Sequence, residues 1–293
     1  MVELREQPDG TLTRSFGGDT LNTAIYFARL GVQVDYITAL GDDPWSDEMV
    51  CAWRAECVGT SQVRRLQNSL PGLYIIQTDP AGERRFLYWR DSAAARRLFD
   101  LPDSDGLLES LSHYDLLFFS GITLSIYDAA GREKLFAAAE KARRRGGRVA
   151  FDTNFRPRGW PNPNLARSLY EKVFSSSDIV FASTEDLRLL FGDEGVAILQ
   201  RDAASSERVL KFDRPAVSVT MNGAEALIEA PPISGVVDTT AAGDSFAAAY
   251  LASRLQGASP IEAARAGHRL AGTVVKHPGA IIPPTAMPLE IIR

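Results

Sequence analysis

The chain has 293 residues, 45% hydrophobic and 24% charged, the balance of a soluble globular protein with one large α/β domain or two modest ones. A formal net charge of −5 leaves no basic surplus to neutralise a phosphate backbone, which excludes a nucleic-acid partner. Two cysteines cannot build a disulfide framework, and no apolar run reaches membrane length, so a cytoplasmic chain with no membrane partner is expected.

Residues 1–4 read as the tail of a strand. In Arg14-Ser15-Phe16-Gly17-Gly18-Asp19-Thr20-Leu21-Asn22, Asp19 is placed to cap a helix whose Leu21, Ile25 and Ala28 recur at helical spacing, and Gly31 is placed to close it. The glycine pair lets a polar ligand approach the backbone there. Residues 34–40 predict a strand. Asp43-Pro44 then starts a helix running to about Cys57, with Trp45, Met49, Ala52 and Trp53 as a core-facing stripe.

Residues 62–92 change character. Residues 73–78 and 85–90 predict two strands joined by the turn Asp79-Pro80-Ala81-Gly82-Glu83. Period two puts Phe86, Tyr88 and Arg90 on one face. An aromatic hydroxyl and a guanidinium two residues apart suit a small carboxylated sugar, because Arg binds a carboxylate in bidentate fashion. A plain solvent-edge hairpin is the alternative.

From Leu107 helix and buried strand alternate, and residues 116–119 are as uniformly apolar as a parallel sheet requires. A helix over 128–145 ends in Arg143-Arg144-Arg145, where cations complement the helix dipole. The strand 148–151 delivers Asp152-Thr153-Asn154-Phe155-Arg156-Pro157-Arg158 at its C-terminal end, the edge where open α/β sheets bind ligands. After the strand 178–181, Ser183-Thr184-Glu185-Asp186 opens a helix with Ser183 as cap. The strand 216–220 ends at Met221-Asn222-Gly223-Ala224.

The organising stretch is Val237-Asp238-Thr239-Thr240-Ala241-Ala242-Gly243-Asp244-Ser245-Phe246. Three small residues, Ala241, Ala242 and Gly243, precede a helical run closed by Gly257, so their amides can point at an anion. Asp244 follows in the first turn, where the dipole favours a carboxylate. An oxyanion cradle beside a base is what phosphoryl transfer to a hydroxyl requires. The bland alternative is a small-residue turn with an acidic neighbour. Ala241 keeps the cradle intact provided its φ stays negative. Gly17-Gly18 is not G-x-G-x-x-G, and neither G-x-x-x-x-G-K-[ST] nor H-E-x-x-H occurs, which argues against a dinucleotide dehydrogenase and a zinc protease.

DTTAAGD resembles the DTxGAGD signature of ribokinase-like (PfkB-type) carbohydrate kinases. GGDTLNTA, LPGLY, YWR and DTNFRPRGW are similar to segments of the 2-keto-3-deoxygluconate kinase branch of that family, and the resemblance covers essentially the whole chain. It implies a three-layer α/β/α fold with a mainly parallel sheet, spanning 1–293 as one domain with a small β lid from about 1–18 and 62–92. The resemblance also implies a first strand running into Met1-Val2-Glu3-Leu4; the expectation is that this sequence starts after it or fills its place with another segment.

The implied activity is ATP-dependent phosphorylation of 2-keto-3-deoxygluconate to its 6-phosphate. Asp244 is then the base, with Ala241, Ala242, Gly243 and Arg156 stabilising phosphoryl charge. Gly18, Asp19, Asn22, Tyr74, Tyr88, Arg90 and Arg156 inherit contacts to the sugar acid. Asn154, Thr220, Asn222, Gly223 and His268 inherit places beside the nucleotide, with one extra residue before Gly223 and a shortened stretch over 225–235. Taken alone, His268 reads as structural. Mg²⁺ is implied, with Asp186 standing where relatives carry the Glu of Asn-x-x-Glu, although Ser183-x-x-Asp186 reads first as a plain helix cap. A monovalent cation and a homo-oligomer paired through the lids complete the implied set. The rival readings are a kinase for a neutral sugar such as fructose or ribose, and a non-catalytic sugar-acid binder.

Overall fold

In the computed structural model, residues 1–7, 9–78 and 84–288 are described, and the chain clusters into two units, Met1–Pro102 and Asp103–Arg293. The first unit contains β1 (Val2–Glu6), β2 (Leu12–Phe16), α1 (Asp19–Arg29), β3 (Thr38–Gly41), α2 (Pro44–Ala55), β4 (Val63–Leu66), β5 (Leu73–Thr78) and β6 (Arg84–Trp89). Its four-stranded sheet has the order β2-β1-β5-β6, so the two segments expected to form a small β-sheet, far apart in sequence, join in one. β1 pairs antiparallel with β2 and parallel with β5. The predicted turn over 79–83 lies outside the described residues.

Local physics accounts for three departures from expectation in this unit. Gly18, not Asp19, is the cap of α1; its φ of 150° suits glycine, and Asp19 is already the first helical residue. The strand expected over 34–40 contracts to β3, because ladder pairing with β4 begins at Thr38 and Asp35 makes only an isolated bridge to Gly59. In α2, capped by Asp43 with Pro44 first, Met49 and Trp53 are buried as expected. Trp45 is in the first turn and 40% exposed, with the Arg14 guanidinium 5.8 Å from its ring centroid.

The second unit runs α3 (Ser104–Leu111), β7 (Leu116–Ser120), α4 (Gly121–Ile126), α5 (Ala129–Arg144), β8 (Arg148–Asp152), α6 (Pro163–Ser176), β9 (Ile179–Ser183) and α7 (Thr184–Phe191). It continues with α8 (Gly195–Asp202), β10 (Glu207–Lys211), β11 (Ala216–Met221), β12 (Ala224–Glu229), α9 (Ala242–Leu255) and α10 (Pro260–Val274). The six-stranded sheet has the order β12-β11-β10-β9-β8-β7, with β7 to β10 parallel and β11 and β12 antiparallel. β7 ends the sheet, and β8 is its partner among the described residues.

Register assigns the faces. Phe151 is level with Val180 and packs edge-on against Tyr170 and Phe174 of α6. Asp152 is level with Phe181 on the other face, where Phe181 meets Tyr250 of α9 at 5.3 Å. A sheet between α6 on one side and α9 on the other gives the expected three layers. Phe151, Phe174 and Phe181 are fully buried, each stabilising the unit by about 1.5–3 kcal/mol. The consequence for function is that Asp152, Ser183 and Lys211 all end parallel strands at one edge of the sheet.

Candidate functional site

The approach to α9 is fastened before the helix begins. The amides of Val237 and Asp238 both donate to Val275 O, at 2.8 and 3.1 Å. The buried Asp238 carboxylate accepts from Thr240 N and Oγ1 through Oδ1, and from Gly279 N at 2.9 Å through Oδ2. This carboxylate ties the loop before α9 to the loop after α10. The chain then turns through Ala241, at φ 59° and ψ 14°, and the first helical bond runs from Ser245 N to Ala241 O at 2.9 Å.

The condition of a negative φ at Ala241 is therefore not met. The chain enters α9 through one left-handed residue, which alanine accepts at a cost of about 1 kcal/mol. A left-handed residue followed by helical ones makes the concave run of amides that suits an anion. Ala242 N is partly spent, donating to Thr239 O at 3.2 Å, whereas Gly243 N falls at the helix mouth, where no intrahelical acceptor exists. Asp244 is in the first turn, as expected.

The ends of β8, β9 and β10 bring charged groups to one edge of the sheet. Lys211 Nζ donates to Asp152 Oδ2 at 2.9 Å and is 3.7 Å from where a Cβ on Gly243 would be. The other Asp152 oxygen accepts from Asn154 N at 3.1 Å, across a turn that holds Asn154 at φ 28°. Thr153 Oγ1 donates to Asp186 Oδ2 at 2.7 Å, and Arg156 Nη1 is 3.7 Å from Asp186 Oδ1. Tyr170 donates to Thr153 O at 2.6 Å, which fixes the end of β8 from below. Ser183 caps α7 by accepting from Asp186 N, as expected.

Burial, reinforced by Asp152, pushes the Asp186 carboxyl above its ordinary range, against the Thr153 hydrogen bond and the cations Lys211 and Arg156. Burial alone would lower Lys211, but Asp152, Asp186 and Asp244 hold it above its ordinary value. The structure thus gathers Asn154, Arg156, Asp186, Gly243 and Asp244 on one side of this unit. Sequence reasoning did not single out Lys211 and gave Asp152 no role beyond its place in the polar run after β8; β10 is charged at both ends, so its pattern carried no such signal.

Thr220, Asn222 and Gly223 are not brought there. β11 is antiparallel to β10, with Thr220 opposite Arg208 and Val217 opposite Lys211, so the turn after β11 is at the far end of the sheet. Asn222 (φ 52°) and Gly223 (φ 80°) form the two-residue turn of the β11–β12 hairpin. His268 is buried, with Nε2 3.2 Å from Ile228 O and its ring 5.2 Å from that of Phe246. Burial lowers its pKa, in keeping with a neutral packing residue.

A second group belongs to the first unit. Tyr74 is level with Tyr88 across β5 and β6, their rings 5.9 Å apart, and the Arg90 guanidinium is 4.6 Å from the Tyr88 centroid. The Tyr74 hydroxyl donates to the buried carboxylate of Glu3, and burial together with that charge pushes the phenol pKa up. A side chain at Gly17 would collide with this hydroxyl, so glycine is required there for close approach. Gly18 O accepts from Asn22 N at 2.8 Å at the start of α1, beside Asp19. Glu3 carried no motif and was missed.

Among the described residues no cluster of three metal-ligating side chains occurs. Magnesium commonly needs only one or two protein carboxylates besides phosphate oxygens, and Asp186, with Oδ1 in a long ion pair rather than a short hydrogen bond, fits that use.

The profile of the pfkB family carbohydrate kinases matches residues 4–287. The 2-dehydro-3-deoxygluconokinase of Dickeya dadantii (strain 3937) is 45% identical over 299 residues, covering 98% of this chain and 96% of its own. The Escherichia coli (strain K12) protein of the same description is 43% identical with the same coverage. Among solved structures, fructokinase with bound ATP from Xylella fastidiosa superposes with a TM-score of 0.82 at 24% identity, covering 98% of this chain and 92% of that one. The 2-dehydro-3-deoxygluconokinase of Thermotoga maritima does so at 0.81 and 22%, covering 96% and 92%. The chain belongs to the pfkB family of carbohydrate kinases.

Proposed function

We propose that this pfkB-family sugar kinase transfers the terminal phosphoryl group of ATP to the 6-hydroxyl of 2-keto-3-deoxygluconate. The observation that carries the substrate is full-length similarity, at 43–45% identity, to two proteins described as 2-dehydro-3-deoxygluconokinase. The grouping of Tyr74, Tyr88 and Arg90 on one face of the first unit's sheet supports it, since a guanidinium and a phenol side by side recognise a carboxylated sugar.

Asp244 takes the proton of the attacking hydroxyl as its oxygen bonds to the γ-phosphorus. The bond from that phosphorus to the β-γ bridging oxygen breaks, and ADP leaves. Gly243 N and its neighbours at the mouth of α9 stabilise the charge on the equatorial oxygens, with Arg156 as a further cation. Mg²⁺ arriving with the nucleotide would neutralise β- and γ-phosphate charge, with Asp186 as its protein-side carboxylate.

A coupled ADP-release assay with 2-keto-3-deoxygluconate, gluconate and fructose tests the reading. Turnover confined to the keto-deoxy acid is expected; equal turnover of fructose would replace it with a neutral-sugar kinase. Arg90→Ala should raise KM for the acid by about tenfold or more, the value of a charged hydrogen bond, and leave its alcohol analogue nearly unaffected. Equal losses for both compounds would remove Arg90 as the carboxylate partner.

A further inference from the structure

The far end of the second unit's sheet holds a buried polar group that no motif announces. Glu207, the first residue of β10, is 7% exposed and accepts from Arg254 of α9 through both oxygens, Nε to Oε1 at 2.9 Å and Nη2 to Oε2 at 2.8 Å. The buried Tyr250 hydroxyl donates to the same carboxylate. Arg254 Nη1 goes on to Ala258 O, and the Glu207 amide is fixed to Asp178 O at 2.9 Å. Replacing such a pair with well-packed apolar side chains is often neutral or stabilising, so stability alone does not account for it. α9 is buried from Ser245 to Ser253, and four alanines and two serines lie in that run. Side chains so small make shallow ridges, which do little to hold a helix along its own axis. Hydrogen bonds are directional and hold it. β10 therefore meets α9 at both ends: Lys211 faces Gly243 in the first turn, and Glu207 binds the last two turns. About 13 Å of strand is matched by about 10–16 Å of helix from Gly243 to Tyr250 and Arg254.

Resting on the kinase reading, we propose that Glu207, Tyr250 and Arg254 are positioning residues. Bonded together at the far end of the sheet, they fix α9 along its axis, so that Asp244 and the Gly243 amide stand level with the ends of β8 and β10. At the opposite end of β10 from Lys211, none of the three touches a substrate or moves a proton. Burial and the Glu207 charge push the Tyr250 phenol above its ordinary range, so it remains a donor throughout. Loss of the group lets the helix slip, and a displacement of about 1 Å at the reacting groups costs up to about 100-fold in rate.

The triple variant Glu207→Met, Tyr250→Phe, Arg254→Met tests this, because it replaces the network with apolar side chains of similar volume and leaves no buried charge alone. Kinetics, thermal unfolding and a crystal structure read the outcome. The variant should unfold near the wild-type temperature, lose about 10-fold or more in kcat, and keep both KM values within about threefold. Its Asp244 should shift by about 1 Å along α9 relative to β8 and β10. Glu207→Gln retains an acceptor of the same shape and should recover most of the lost kcat. A triple variant with kcat within about threefold of wild type, or with KM raised as much as kcat is lowered, would overturn the proposal. An unshifted Asp244 would overturn it too. Should the triple variant fail to fold, Tyr250→Phe, which removes one bond, decides. A lower unfolding temperature with unchanged kcat would reduce the group to a stability role and overturn the proposal; a kcat loss with unchanged KM would support it. A wild-type protein that does not phosphorylate the sugar acid would sink the substrate reading instead, while the place of Asp244 in the variant structure still decides the positioning role.

Discussion

Two turns of the second unit are built from nearly the same material and end in opposite roles. Ala241 before α9 and Asn222-Gly223 between β11 and β12 both use left-handed backbone, at φ 59°, 52° and 80°. One feeds a helix whose mouth faces Lys211, with Asp152 beyond it; the other reverses an antiparallel hairpin at the far end of the sheet. The difference teaches that turn chemistry fixes dihedral angles locally, whereas the tertiary contacts that hold the approach to the turn decide what it faces.

The sharpest way to break the comparison is at Asp244, which gives the first turn chemical meaning. Asp244→Asn should cost about 10²–10⁴-fold in turnover while calorimetry finds sugar binding largely intact. A loss under tenfold would leave the α9 turn no more catalytic than the hairpin.

Backbone substitutions sharpen it next. Ala241→Gly should stabilise the protein by about 1 kcal/mol in urea unfolding, because glycine adopts the left-handed region without strain. Gly223→Ala should destabilise it by about the same amount and leave turnover within about twofold, since this turn is remote from Lys211 and Asp152. A large turnover loss in the Gly223 variant would return the hairpin to the nucleotide side.

The smallest expected effect is at His268, which packs near the start of α9. Its folded pKa is depressed by burial, so the unfolded chain takes up a proton that the native ring refuses. Stability should therefore fall as pH drops below about 6.5, and this slope should flatten in His268→Phe when unfolding is compared at about pH 7 and about pH 5. An unchanged slope would mean that the ring is not held neutral against Ile228 O.

Much of the second unit was legible without coordinates. The apolar runs at β7, β8 and β9, the Ser183 cap and the first-turn position of Asp244 follow from short-range pattern and helix-end chemistry. In the first unit, period two alone put Phe86 and Tyr88 together, and their rings stack at 6.3 Å. The strand over 34–40 was misjudged because apolar residues alone do not supply a ladder partner, and Trp45 because a stripe does not say where a helix is covered.

What the sequence determined by itself, then, was the kind of the strongly patterned elements and caps such as Asp43 and Ser183, since those depend on neighbours a few positions away. Tertiary structure alone decided which carboxylates share an edge, that Lys211 rather than Thr220 stands among them, and that Glu3 receives the Tyr74 hydroxyl from 71 residues away. These are consequences of strand order, direction and register, set by burying faces against α6 and α9 and by pairing strands distant in the chain. No local pattern encodes them.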